Sequence, residues 1–332
     1  MCHAPAGISL TMRNQIALCD ITYLGLIYLQ TERRSSMDIS NSYPDSKFVY
    51  ANGIRHHYLT WGEYSSTPII LLHGIGLSCS VWNWTAKRLS ERYNVLCFDM
   101  RGHGDSEKPP AGYTFPDLAK DLAEIIKTLR LTQPLIIGHS AGGSAAIIAH
   151  AFEPGLLGPS LIIDSRVGGS RELSSRPEMQ DRPSRTRRKR LIWESREAMR
   201  EAYRDRSVFR SWNEEIFDDY IHGSTKLLPD GRSELKCPPE IEATLYEERT
   251  SLNTSPYLNN MKADILLLLG NYPGAQTLID AGIQEFLGKV EGSQVKVSPM
   301  GSHFLPMEYP ELLLAEIKEF IRHHLLPKSC HF

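Results

Sequence analysis

A chain of 332 residues, 41% apolar and 23% charged, has the make-up of a globular protein and suits one large α/β domain with an insertion. A formal charge of −2 excludes any general electrostatic pull towards nucleic acid or anionic membrane. Six scattered cysteines show no C-x-x-C pair and no zinc-type spacing, and read as reduced thiols of a cytoplasmic protein.

Residues 1–36 read as a poorly ordered leader. Their apolar stretch, Ile21 to Leu29, is too short to span a bilayer, and its flanks lack the basic start and small-residue cleavage site of a secretory signal. Met37 opens a more domain-like sequence, and the final five residues spell no address signal. Phe48 to Tyr50 and Ile54 to Thr60 are predicted to pair as a hairpin across Asn52-Gly53. His56 and His57 point to opposite faces of that strand, so they cannot share a metal; they are expected at surface and half-buried positions.

Pro68 to Leu72 is a continuous apolar run, as a buried parallel strand requires, and ends in His73-Gly74-Ile75-Gly76. Such a loop offers backbone N–H groups at the strand's carboxyl end, chiefly that of Ile75. A helix from Val81 to Leu89 carries Trp82 and Trp84 as core residues. Strand Asn94 to Phe98, with Cys97 as a small buried hydrophobe, leads into the polar turn Asp99 to Ser106, which is given a structural role. Phe115 to Leu131 is an amphipathic helix with Leu118, Leu122, Ile125, Ile126 and Leu129 on one stripe.

The stretch that organises the chain follows. Leu135 to Ile137 reads as a buried strand and Ala141 to Ala149 as a buried helix, with Gly138-His139-Ser140-Ala141-Gly142 between them. This is a G-x-S-x-G sequence in a strand-to-helix context, which presents Ser140 as a nucleophile at the top of a sheet. The helix N-terminus behind it favours a developing oxyanion, which the amides of Ala141 and Ile75 could hold together.

After Leu161 to Ile163, a strand ending in Asp164, the pattern changes. Residues 166–258 lose apolar strands and gain charge and aromatics, so they read as an inserted helical subdomain between the two parts of the core, 37–165 and 259–332. The basic run from Arg182 to Arg190 is expected to be a solvated helix face. Sheet pattern resumes at Ile265 to Leu269, followed by a helix from 275 to 287, a strand at Gln294 to Val297, a loop bearing His303 and a last helix from 310 to 323. Strands alternating with helices predict a mostly parallel, doubly wound α/β sheet.

Four segments, in this order, resemble the α/β-hydrolase fold superfamily: His73 to Gly76, Asp99 to Ser106, the turn at Ser140, and Gly301-Ser302-His303-Phe304. The resemblance covers roughly Phe48 to Leu326, with the insertion where that superfamily carries its lid. It implies Ser140 as nucleophile and His303 as general base, since a serine hydroxyl needs an imidazole to remove its proton and return it to the leaving group. The superfamily usually places its acid in the loop after the penultimate strand. Here that loop, Gly270 to Ala275, contains no carboxylate. A minority arrangement supplies the acid from the end of the strand after the nucleophile helix, where Asp164 stands; Asp280 and the absence of a working acid are the alternatives.

The resemblance therefore implies a cofactor-independent, metal-free serine hydrolase acting on an ester, or on an activated carbon–carbon bond beside a ketone, of a medium-sized, partly apolar small molecule. Serine at the turn disfavours the aspartate-nucleophile branches. Two alternatives stand beside it. One is a lyase or cyclase, because Asp230 to Glu240 resembles a segment of hydrolase-like proteins of fungal secondary metabolism. The other is a non-catalytic binding protein. No nucleic-acid partner and no membrane span are expected, and the protein is expected to be a monomer or homodimer.

Overall fold

The computed structural model describes residues 43–62, 67–169, 180–259, 261–271 and 281–325. The expected leader, Asp280 and most of the loop after Gly270 lie outside these residues. Residues 43–332 group as one unit, with no separation of residues 166–258 from the rest. No helix among the described residues is long and apolar enough to cross a membrane.

Strands β1 (Asp45–Ala51) and β2 (Ile54–Trp61) form the predicted antiparallel hairpin. Its turn holds Asn52 at φ 47° and Gly53 at φ 79°, the left-handed pair that a tight two-residue hairpin demands. Then follow β3 (Pro68–Leu72), β4 (Asn94–Phe98), β5 (Leu135–His139) and β6 (Ser160–Ile163). The insertion adds β7 (Ile192–Trp193), β8 (Thr225–Leu227) and β9 (Ser233–Leu235), before β10 (Lys262–Leu269) and β11 (Glu291–Val297) complete the main sheet. The order is β1-β2-β4-β3-β5-β6-β10-β11; β2 is antiparallel to both neighbours and the pairs from β4 to β11 are parallel.

Continuous apolar runs suit this sheet because both faces are covered. Ile70, Leu72, Leu96, Phe98, Ile136 and Ile162 enter one core, while Ile69, Leu71, Val95, Cys97, Leu135, Ile137, Leu161 and Ile163 alternate into the other. Helices flank it in chain order: α1 (Asn83–Leu89), α2 (Phe115–Thr128) and α3 (Ala141–Phe152). Those of the insertion are α4 (Arg182–Arg187), α5 (Arg196–Arg204), α6 (Glu214–Gly223) and α7 (Pro239–Ser251), and those after it α8 (Ala281–Lys289), α9 (Leu305–Glu308) and α10 (Pro310–Leu325). α2 starts at a capping box in which Thr114 and Asp117 satisfy each other's backbone donors. Trp82 and Trp84 are buried packing residues, and Cys79, Cys97 and Cys237 are buried free thiols.

β3 has β4, the next strand in the chain, on one side and β5 on the other, so the connections leave in opposite directions and the loops after β3 and β5 meet over one crevice at the strands' carboxyl ends, the place where open α/β sheets bind ligands. The turn after β4 buttresses that crevice. Asp99, 1% exposed, accepts hydrogen bonds from His57 Nδ1 (2.7 Å) and from the amides of Cys79 (2.7 Å) and Asp105 (2.9 Å). Burial alone would raise its pKa, but the His57 bond and the His73 and His57 charges hold it far below the usual carboxylate range.

Two expectations need correction. His56 and His57 are both buried, because β2 lies inside the sheet between β1 and β4 and is covered on both faces. They do face apart, His57 towards Asp99 and His56 towards Asp121 at 3.7 Å. The insertion, expected to be helical, also holds the small antiparallel sheet β7-β9-β8. Those strands are two or three residues long, too short for a period-2 pattern to register. Tyr203, Phe209, Trp212, Phe217 and Tyr220 of the insertion share a core with Trp82, Leu305 and Leu313, and Lys236 Nζ lies 2.6 Å from Asp105 Oδ2.

The approach of α3 to the sheet depends on glycine. A Cβ on Gly142 would lie 2.6 Å from Leu72 Cβ and 2.7 Å from Leu72 O, and one on Gly143 would lie 2.1 Å from Ser165 Oγ. In an open helix, Gly→Ala would stabilise by about 1 kcal/mol. Here Gly142→Ala is expected to destabilise by about 2 kcal/mol through overpacking against backbone, measured by urea unfolding. A neutral or stabilising result would show that α3 can move away from β3.

Candidate active site

Ser140 stands where β5 becomes α3, with φ 53° and ψ −112°, outside the comfortable regions for an L-residue. Such a residue persists only when its surroundings fix it. Its N–H donates to Ile163 O at 2.9 Å, and its carbonyl accepts from Ser165 Oγ at 2.8 Å and from the Ser144 amide at 3.0 Å. Neighbouring strand, following loop and own helix all hold the turn.

The loop after β3 comes alongside. Gly142 N donates to His73 O at 3.2 Å, and a Cβ on Gly74 would lie 3.2 Å from Ser140 Cβ. Among the described residues the amides of Ile75 and Ala141 have no acceptor; Ala141 opens α3, where the first N–H groups have no partner within the helix. Gly76 N donates to His103 Nε2 at 3.0 Å, while His103 Nδ1 donates to Arg101 O at 3.0 Å. Burial and the adjacent His73 push His103 down to about 3, so it stays a neutral acceptor under this loop.

His303 lies in the turn between β11 and α9, where Glu308 accepts from the Ser302 amide (2.6 Å) and hydroxyl (2.8 Å). Its carbonyl accepts from His139 Nε2 at 2.7 Å. Its Nδ1 donates to Asp164 Oδ2 at 2.6 Å, which leaves Nε2 as the basic nitrogen. Asp164, at φ 45° just past β6, donates its amide to Leu268 O (2.8 Å), and its Oδ1 accepts the Gly270 amide (3.1 Å). Burial would raise its pKa; the hydrogen bond and charge of His303 and the Gly270 amide overcome this and hold it below the usual value. Asp280 lies outside the described residues.

Ser140, His303 and Ile75 line one narrow cleft of about 10 Å³, room for about one water. Through Ile75, Leu77, Arg182, Tyr246 and Phe304 it adjoins a chamber of about 160 Å³ walled by Tyr203, Phe209, Trp212 and Tyr220 of the insertion. The chemistry this can perform is proton removal from a hydroxyl by His303, with two amides near for negative charge. Among the described residues one group, His57, Cys79 and Asp99, has metal-ligating atoms within 4.8 Å of one another. Its carboxylate is already taken by three hydrogen-bond donors and burial pushes the Cys79 thiol up, which makes it a structural hub.

Sequence reasoning missed three contributors. His139, the x of G-x-S, supports the His303 loop. Tyr246 and Arg249 line the cleft from α7; with Glu242 they recur at helical spacing, a signal that could have marked an inward polar face. Nor is the basic run a plain solvated face. Arg185, Arg187, Arg188 and Arg190 are exposed, but Arg182 reaches the cleft and Lys189 pairs with buried Glu242.

A family model described as "Alpha/beta hydrolase family" matches residues 69–316. The soluble epoxide hydrolase of Corynebacterium sp. (strain C12) is 41% identical over 95 residues, 29% of this chain and 32% of that protein. The 2-(acetamidomethylene)succinate hydrolase of Mesorhizobium japonicum is 38% identical over 103 residues, 31% of this chain and 37% of the relative. The chain thus spans about a third of the length of these curated relatives. The crystal structure of an E-2-(acetamidomethylene)succinate hydrolase superposes with TM-score 0.73 at 21% identity, covering 84% of this chain and 99% of that one. The enol-lactonase from Burkholderia xenovorans LB400 gives 0.62 at 21% identity, covering 83% and 99%.

Buried imidazoles make the fold acid-sensitive. His103 and His139 are pushed down to about 3 and His150 to about 4, chiefly by burial, whereas an unfolded histidine titrates near about 6.5. Between those values the unfolded chain binds more protons, so stability is expected to fall as pH drops from about 6.5 to about 4. Urea unfolding across that range should show the loss, and His150→Gln should reduce its slope by about 1 kcal/mol per pH unit. An unchanged slope in that variant would mean His150 is protonated in the folded protein.

Proposed function

The chain belongs to the alpha/beta hydrolase family, and from that premise we propose that it is a cofactor-independent serine hydrolase cleaving an ester, or a carbon–carbon bond beside a ketone, of a medium-sized, partly apolar molecule. The observation that carries this reading is the 2.6 Å His303–Asp164 hydrogen bond at a cleft whose wall includes both His303 and Ser140.

Ser140 Oγ attacks the carbonyl carbon while His303 Nε2 takes the hydroxyl proton. The new oxyanion sits against the amides of Ile75 and Ala141, each such donor being worth about 3 kcal/mol in comparable sites. Asp164 keeps the imidazole in the Nδ1–H tautomer and stabilises the imidazolium without taking its proton. Collapse expels the alcohol, or the carbanion equivalent of a carbon–carbon cleavage, protonated by His303. Water, deprotonated by the same nitrogen, then attacks the acyl-enzyme and releases the acid and free Ser140.

Residues 166–258 act as a lid whose aromatic chamber receives the apolar part of the substrate.

A fluorophosphonate is expected to label Ser140 stoichiometrically, as read by peptide mapping, and Ser140→Ala should lose both labelling and turnover of p-nitrophenyl acetate. Asp164→Asn should lower kcat by about 10²–10⁴ while the protein stays folded. Unchanged turnover in a folded Ser140→Ala protein would sink the reading, and unchanged kcat in Asp164→Asn would remove Asp164 from it.

A further inference from the structure

Most charged side chains of the insertion have opposite charges beside them. Arg187 pairs with Glu240 and Glu247, Arg200 with Glu214 and Asp218, and Lys189 with Glu242. Arg182 and Arg249 differ. Both line the cleft that holds Ser140 and His303, and neither has an ion-pair partner among the described residues. Arg182 gives one Nη2 hydrogen bond to the Tyr246 hydroxyl (2.7 Å), with its guanidinium 4.1 Å from the centre of that ring, and its remaining donors have no acceptor among the described residues. Arg249 makes no side-chain hydrogen bond among them; its carbonyl accepts from Arg166 Nη1 at 3.0 Å, which ties down the end of α7. Asp164 is the carboxylate nearest in role, but both its oxygens are engaged, with His303 and with the Gly270 amide.

Both are half-buried, and two like charges held near each other at a partly desolvated site without a counter-charge are costly for a fold. They are retained where a ligand supplies the missing charge. Guanidinium forks match a planar carboxylate, which can take two parallel N–H bonds from each. Resting on the serine-hydrolase reading above, we infer that the substrate carries a carboxylate a few bonds from the scissile carbonyl and that Arg182 and Arg249 bind it. The carboxylate then fixes which carbonyl lies over Ser140, while the aromatic chamber takes the apolar remainder of the molecule.

Two nearly isosteric esters test this: mono-p-nitrophenyl glutarate, which carries the carboxylate, and p-nitrophenyl valerate, which does not. The wild-type protein is expected to favour the glutarate ester in kcat/KM by about tenfold or more. Arg182→Met and Arg249→Met should each cut that ratio by about tenfold, through KM for the anionic ester, and Arg249→Lys should recover part of it. Arg188→Gln, on the exposed side of the same segment, should keep the wild-type ratio. A wild-type ratio of one or below, or a ratio unchanged in both methionine variants, would overturn the inference. Calorimetric binding of monomethyl glutarate to Ser140→Ala separates this failure from failure of the hydrolase reading. Binding that weakens about tenfold on adding Arg249→Met sustains the carboxylate site even if neither ester is turned over, and no binding at all overturns it.

Discussion

Everything in this molecule is arranged around one awkward residue. Ser140 must be the last residue of a strand's path and the residue before a helix, and it takes a positive φ to do so. That geometry is tolerable only because Gly138, Gly142 and Gly143 let strand, helix and neighbouring loop come into contact without intervening side chains. A Cβ at Gly138 would fall 2.7 Å from the backbone of Gly143, so the turn closes on itself. The two flat apolar cores then hold β5 and α3 against each other and give the strain no outlet.

From that fixed point the other parts arrive along the carboxyl edge of the sheet. The loop after β3 brings Ile75, the end of β6 brings Asp164, and the turn after β11 brings His303. Asp164 and His303 are each held through at least one backbone group: Asp164 N donates to Leu268 O, Asp164 Oδ1 accepts from Gly270 N, and His303 O accepts from His139 Nε2. Backbone tethers lose less to side-chain disorder than side-chain pairs do, which suits a site where an ångström matters.

Much of this was legible before any coordinates. The apolar strands, the Asn-Gly hairpin and the strand-to-helix setting of Ser140 are local patterns, and local patterns survive in sequence. Asp164 was legible only as one carboxylate among alternatives, since its meeting with His303 spans 139 positions and depends on β6 and β10 being neighbours. The burial of His56 and His57 was not legible, because it depends on β4 covering the far side of β2. Arg249 was hidden for another reason. Charged residues at helical spacing usually face water, and the packing of α7 beside α4, more than fifty positions earlier in the chain, leaves no local pattern.

The insertion's aromatics do not form a core of their own. Tyr203, Phe209, Trp212, Phe217 and Tyr220 are continuous with Trp82, Leu305 and Leu313 of the sheet's flank, so insertion and sheet bury one common apolar surface. An appendage built this way is not modular. Excising it, or grafting another in its place, would uncover the apolar surface it shares with Trp82, Leu305 and Leu313 and leave an adhesive patch in water. Variation over the cleft is therefore expected in substitutions within the insertion that leave Tyr203, Phe209, Trp212, Phe217 and Tyr220 packed on the sheet's flank, and the scaffold and its cover must change together.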